Sequence, residues 1–266
     1  MGLPSPAPDR AAVVTGASSG IGAEIARELC RRGHQVVLVA RSADKLDQLA
    51  AGMDGRGHPL PADLSDRAAR AKLLERISQL GLVPDVLVNN AGLSTLGPVA
   101  KADPDAELNM IEVDVVSVAD LCTRFLPGMV ERGRGAVLNV SSIAAFQPLP
   151  GQAGYAAGKA FVLSYTQSLA AELRGTGVTA TALCPGPVAT GFGETAGFSK
   201  GDAEHALPSI LWVDAPAVAR AAVDGMARGR LVVIPGVANR VAAALAQVTP
   251  RTVLLPILRR GHPGLR

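Results

Sequence analysis

The strongest constraint on this chain is an alternation. Short, nearly unbroken apolar runs are separated by longer stretches of helical periodicity. The runs are AAVVTG, QVVLVA, a short one inside GHPLPADLS, PDVLVNNAG, GAVLNVSS, GVTATALCPG and GRLVVIPG. The helical stretches are GIGAEIARELCRRG, SADKLDQLAAGM, DRAARAKLLERISQLG, and the segments at about 105–131, 152–174 and 215–228. In the first of these Ile21, Ile25 and Leu29 recur every four residues, and Gly33 stops the pattern. Ser42 is placed to cap the second. Continuously apolar strands need cover on both faces, and crossover helices supply it in a parallel sheet. The pattern predicts an α/β, doubly wound, Rossmann-like fold, with a parallel seven-stranded sheet and helices on both faces. A ligand belongs at the carboxyl ends of the strands, where the strand order reverses.

The chain has 266 residues, 48% of them hydrophobic, enough for a full core. No repeat or linker divides it, so a single domain over 1–266 is expected. The formal charge of +3 is small, and no dense basic stripe of the kind nucleic acid requires is visible. Cys30, Cys122 and Cys184 match neither a zinc pattern nor a disulfide framework, and each sits in an apolar run. They read as buried thiols in a reducing, cytoplasmic setting. The start, MGLPSPAPDR, has no apolar core of a signal peptide, and no run of 18 apolar residues could span a membrane. The four histidines are scattered, and no metal site is expected.

The turn TGASSGIG places Gly16, Gly20 and Gly22, with Ser18, Ser19 and Ile21, between the first strand and its helix. Helix N-termini present free N–H groups, and glycine lets a pyrophosphate approach them. The spacing GxxxGxG differs from GxGxxG, and no Lys-Ser/Thr pair of a P-loop follows. The second strand ends in Ala40-Arg41, where an acidic residue would favour NAD. A guanidinium instead pairs with phosphate, which points to NADP(H).

Together these features resemble the classical short-chain dehydrogenase/reductase family, over about Arg10 to Gly236. The matching phrases are TGASSGIG, Asp63-Leu64, NNAG at 89–92, the Ser141-Ser142 pair, Tyr155 with Lys159, and PGPVAT at 185–190. The resemblance implies NAD(P)(H) chemistry and a homodimer or homotetramer. It also implies a catalytic set of Ser142, Tyr155 and Lys159. Asp63 and Leu64 would hold the adenine, and Asn90, Ala91 and Gly92 would line the adenosine side. Pro185, Gly186, Val188 and Thr190 would lie along the nicotinamide. One position departs: Asp114 stands where the family commonly has an Asn that links the Lys to solvent through a water. Asp accepts but, when ionised, cannot donate a hydrogen bond, so the proton affinity of the site should change. Gly158 replaces the family's Ser before the Lys, which reads as a packing change.

Reducing a carbonyl places negative charge on oxygen and requires a proton as it forms. A phenol is a weak acid near neutral pH. A Lys one helical turn away, as Lys159 is from Tyr155, favours phenolate. Lys159 can also hold ribose hydroxyls, and Ser142 can donate to the substrate oxygen. The segment 191–213 reads as a substrate lid, with Phe192, Phe198, Leu207, Ile210, Leu211 and Trp212 interspersed with glycines. It suits a hydrophobic substrate such as a 3-oxoacyl, steroid or small ketone compound. The extension 237–266 is amphipathic in patches. It is expected to cover the lid or a neighbouring subunit, with peripheral membrane contact as a lesser possibility. The alternative to an enzyme is a low-turnover nucleotide-binding regulator or scaffold of the same fold.

Overall fold

The structure, a computed structural model, describes residues 2–190, 208–261 and 265. A parallel sheet of seven strands runs through it: β1 (Arg10–Thr15), β2 (Gln35–Ala40), β3 (Gly57–Pro61), β4 (Val83–Asn89), β5 (Gly135–Val140), β6 (Val178–Leu183) and β7 (Val232–Val233). Their spatial order is β3-β2-β1-β4-β5-β6-β7. The chain winds outward from β1 in one direction, returns to β4, and winds outward in the other. The reversal therefore lies between β1 and β4, which pair directly, with Val13 opposite Leu87.

Each face of the sheet has its own core. One face carries α1 (Gly20–Arg31), α2 (Ala43–Ala51) and α8 (Ala215–Ala227), and buries Ile25, Leu29, Leu46 and Val223 against Val14, Leu38 and Leu138. The other carries α3 (Arg67–Ala71), α4 (Leu73–Gln79), α6 (Ser117–Glu131) and α7 (Ala153–Glu172), and buries Leu73, Ile77, Phe125 and Val162 against Val37, Leu87 and Val137. Strands buried on both sides account for the unbroken apolar runs. The doubly wound expectation holds in strand number, direction and layering.

Polar contacts fix the layers. Buried Asp85 meets Arg10, Arg132 and Arg134 near the start of β4. Asn89 donates to Asn139 at 2.8 Å, and Asn139 donates to Thr166 at 2.9 Å, so β4, β5 and α7 share one buried chain of hydrogen bonds. Cys30, Cys122 and Cys184 are all free and buried. Burial pushes the Cys122 and Cys184 thiols up to about 12, the state of inert thiols.

Three local expectations change. The helix expected over 66–81 is two pieces, α3 and α4, broken at Lys72. Ser42 occupies the N-cap of α2 without a capping hydrogen bond from its side chain. The long helix expected at 105–131 is α5 (Pro104–Ile111), a π-helical turn at Glu112–Val116, and then α6. A π-turn inserts residues into the helical period and redirects side chains, and such turns recur at functional sites. Here it turns Asp114 inward, where it is 2% exposed. Beyond β7 lie α9 (Val237–Val248) and α10 (Arg251–Gly261).

Candidate active site

The site is assembled at the reversal between β1 and β4. Thr15, the last residue of β1, accepts from the backbone N–H of Asn90 at 2.9 Å and of Ala91 at 3.1 Å, and donates to the Val88 carbonyl. The Asn90 amide donates back to the Thr15 carbonyl at 3.0 Å. This clamp sets the glycine turn against the turn that follows β4. Gly16 and Gly20 have φ of +63° and +56°, a region side chains disfavour. A Cβ on Gly16 would lie 2.8 Å from the Asn90 amide nitrogen, and one on Gly22 would collide with the same group. A Cβ on Gly20 would press on Thr190 at 3.3 Å. Ser19 caps α1 with no side-chain hydrogen bond, so the first-turn N–H groups have no acceptor from that cap. Bare backbone, an open helix N-terminus and Thr190 close by form a cradle that fits a dinucleotide pyrophosphate.

At the end where the sequence leads one to expect adenosine, Asp63 accepts from the N–H and hydroxyl of Ser65 at 2.9 and 2.8 Å. Partial burial opposes its ionisation. The two Ser65 bonds and the nearby Arg41 guanidinium outweigh this and hold the carboxyl below its ordinary value. Arg41 is exposed, and its charge reaches Asp63. The adjacent Leu64 is buried, and its carbonyl accepts from Arg70. Arg70 is 1% exposed and also pairs with Glu112 and Asp120, each at 2.7 Å. It thereby ties the adenosine loop to the π-turn that carries Asp114. Neither Arg70 nor Thr15 is singled out by sequence reasoning, because an Arg on a polar helix and a Thr ending a strand look ordinary until the fold brings their partners close.

The reacting end lies at the start of α7. Tyr155 is half-buried and hydrogen-bonds with Ser142, which follows β5. Ser142 Oγ also accepts from the Ala144 N–H at 3.1 Å. Lys159 Nζ lies 5.6 Å from the centre of the Tyr155 ring. It donates to the Val140 carbonyl at 3.3 Å, and the Ser141 hydroxyl donates to the Lys159 carbonyl at 2.7 Å. The three residues expected to act together are brought together.

Asp114 joins them. Its Oδ2 lies 2.9 Å from Lys159 Nζ, and its Oδ1 accepts from the Leu93 N–H at 2.7 Å. The Oδ2 contact is a buried ion pair. Gly92 makes the room: a Cβ there would sit 3.2 Å from both Asp114 Oδ2 and Lys159 Nζ. Gly158 borders the same space, and a Cβ on it would meet Val115 at 3.3 Å and Asp114 at 3.9 Å. The loop after β4 is pinned across the site mouth by Gln152 donating to Ser94 at 2.8 Å and by Gly97 N–H to the Gly151 carbonyl at 2.8 Å.

The electrostatics differ from the simple expectation in one respect. Burial is the largest influence on Tyr155 and raises its pKa. Lys159 and Ser142 pull it down, as expected for those groups, while Asp114 pushes it up, and the net direction is upward. Burial disfavours charge on Lys159, but Asp114 and Tyr155 outweigh it and raise its pKa. Burial pushes the Asp114 carboxyl upward against the pull of Lys159 and Leu93. At 2.9 Å the two groups share a charge pair, so part of the ammonium's field at Tyr155 is cancelled.

This cancellation has a measurable consequence. Were Tyr155 the acid/base expected from the sequence, alcohol oxidation would require its phenolate and would rise as pH passes through its pKa, and carbonyl reduction would require the neutral phenol and would fall through the same pKa. Asp114 raises that pKa, so Asp114→Asn should move both limbs to lower pH in pH–rate profiles. Superimposable profiles for the two proteins would show Asp114 to be chemically silent.

Val188 and Thr190 follow β6 on the far side of the crevice, and Val188 forms a bridge with Val213. Pro185 and Gly186 precede them; Pro185 accepts from the Ile143 N–H, and Gly186 lies against Asn239. Of the expected lid, 191–207 lies outside the described residues. Of the rest, Ile210 is exposed, and Leu211 and Trp212 are half-buried. Among the described residues, no group of three His, Cys, Asp or Glu could hold a metal.

A short chain dehydrogenase family model matches residues 10–198. The chain belongs to the short chain dehydrogenase family. It is 40% identical to a short chain dehydrogenase of Pseudocercospora fijiensis over 190 residues, 69% of this chain and 61% of that one. It is 39% identical to the very-long-chain 3-oxoacyl-CoA reductase of Anas platyrhynchos over 186 residues, 67% of this chain and 60% of that one. The chain thus spans about three-fifths of the length of these curated relatives. Among solved structures, a short-chain dehydrogenase from Sphingobium yanoikuyae in complex with NADPH superposes with a TM-score of 0.78 at 32% identity, covering 93% of this chain and 95% of that one.

Proposed function

We propose that this short chain dehydrogenase is an NADP(H)-dependent oxidoreductase acting on a carbonyl or secondary alcohol of a hydrophobic compound, such as a 3-oxoacyl, steroid or small ketone substrate. The observation that carries the reading is the convergence of Ser142, Tyr155 and Lys159 beside a glycine cradle at the strand-order reversal. A bound reduced nicotinamide would supply the hydride. Ser142 orients the substrate oxygen and Tyr155 gives it a proton. Lys159 holds the ribose hydroxyls and, with Asp114, sets the proton affinity of Tyr155. The NADPH complex of the Sphingobium relative supports the cofactor, and the 3-oxoacyl-CoA reductase of Anas supports a greasy acyl substrate.

Gly16, Ser18, Ser19, Gly20, Ile21 and Gly22 take the pyrophosphate. Asp63, Leu64, Asn90, Ala91 and Gly92 take the adenosine side, and Pro185, Gly186, Val188 and Thr190 the nicotinamide. Arg41 takes the extra phosphate. NADPH should therefore bind more tightly than NADH, and Arg41→Ala should remove roughly ten- to a hundredfold of that preference, the range of one or two charge-assisted bonds. Titration of each cofactor by intrinsic fluorescence checks this, and equal affinities in the unaltered protein would refute the assignment. A panel of ketones and alcohols followed by NADPH absorbance tests the reaction and narrows the substrate.

Exposed Leu108, Ile111 and Val116 near the π-turn and Phe161 on α7 support assembly into a homodimer or homotetramer through α5–α6 and α7. The second reading is a slow nucleotide-binding regulator of the same fold, in which Asp114 replaces the family's Asn beside Lys159; no turnover of any carbonyl compound in the panel would favour it.

A further inference from the structure

The C-terminal helices are built unlike the rest of the molecule. On α9, Asn239, Ala243 and Ala246 are buried. Val237, Val241, Leu245 and Val248 are 67, 54, 58 and 77% exposed. At about 100° per residue the two sets lie on opposite sides of the helix, about 180° apart. The outer apolar stripe thus faces away from the protein and covers nothing of it. On α10, Leu254 and Leu258 are half-buried, while Val253 and Ile257, one helical turn apart, are 54 and 62% exposed. Both helices have an apolar outer face.

Charge selects what covers that face. From residue 237 to 266 the chain has five arginines and no Asp, Glu or Lys. Arg240 on α9 and Arg259 and Arg260 at the end of α10 are exposed. Arg251 is tied inward, to the carbonyls of Ala246 and Phe146, and fixes α10 to the segment after Ser142. A second copy seated on this face about a two-fold axis would oppose arginines with arginines and supply no carboxylate from 237–266. Apolar helix faces on a segment whose only charged side chains are arginines instead match a bilayer with anionic headgroups.

We propose that α9 and α10 form a docking surface for an anionic lipid bilayer, with the α9 stripe and Val253 and Ile257 entering the headgroup boundary and Arg240, Arg259 and Arg260 meeting the phosphates. Among the described residues no helix is long and apolar enough to cross a membrane, so the contact is peripheral. A separate groove of about 590 Å³ lies between α10 and Pro150, lined by Leu255, Pro256, Arg259 and Arg260.

The test is sedimentation of the full chain with vesicles of phosphatidylcholine, with and without phosphatidylglycerol. The expected result is co-sedimentation with the anionic vesicles only, lost at high salt. Arg259→Ser with Arg260→Ser should weaken it roughly 30-fold, and Val241→Ser with Leu245→Ser should abolish it. All four side chains are exposed, so the variants should keep the parent's thermal midpoint. No co-sedimentation, or equal binding to neutral vesicles, overturns the proposal. Concentration-dependent self-association removed by Leu245→Ser would overturn it in favour of a second copy. Because the readout is partition and not turnover, failure here leaves the reaction assignment untouched, and the reverse holds as well.

Discussion

Replacing Tyr155 by Phe is expected to lower carbonyl reduction roughly 10²- to 10⁴-fold, the range of a lost general acid, and to leave NADPH affinity unchanged. Phe keeps the ring that faces Lys159 at 5.6 Å and the packing at the start of α7, and removes only the hydroxyl that bonds with Ser142. The loss should therefore appear in kcat, with a small change in KM. Thermal unfolding checks that the fold is intact, and fluorescence titration checks the cofactor. Undiminished turnover would remove Tyr155 from the chemistry.

The second large effect belongs to Lys159, and it separates chemistry from stability. Lys159 is 4% exposed and Asp114 2% exposed, and they lie 2.9 Å apart. Lys159→Met should abolish turnover and also destabilise the protein by about 3–5 kcal/mol, because it strands a buried carboxylate without its counter-charge. Adding Asp114→Asn removes that charge. The double variant should recover most of the stability in urea unfolding and none of the activity. Recovery of turnover would mean that Lys159 serves only to neutralise Asp114. A single Lys159→Met variant as stable as the parent would mean that Asp114 is not ionised in the folded protein.

The sheet and the order of the motifs were legible in the sequence because parallel strands buried on both faces must be apolar throughout, and that signature survives without tertiary information. That Tyr155 and Lys159 share one face of a helix was legible too, since four residues is about one turn, but a role for the pair came only from the family resemblance. The interruption at Glu112–Val116 was not. Its sequence, EVDVV, has ordinary helical composition, and what stabilises the π-turn is distant: Lys159 from α7, the Leu93 N–H, and Arg70 from α3. The Thr15 clamp on Asn90 and Ala91 was hidden likewise, because strand pairing across 75 residues creates it. Sequence spacing gave the sign of the Lys159 effect on Tyr155 but not the burial that opposes it, which depends on the loops folded over the site. The outward stripe of α9 needed the structure too, since periodicity does not say which of two apolar faces meets the core.

In the proposed reaction, hydride passes between a nicotinamide and a carbonyl carbon at Tyr155. The most direct measurement is a single turnover of the protein with NADPH deuterated at both nicotinamide C4 positions and a hydrophobic ketone, with the product analysed by mass spectrometry. One deuterium is expected on the carbinol carbon, formed by the unaltered protein and, over the same reaction time, roughly 10²- to 10⁴-fold less by Tyr155→Phe. Saturable NADPH binding with no deuterium transferred to any ketone of the panel would contradict it.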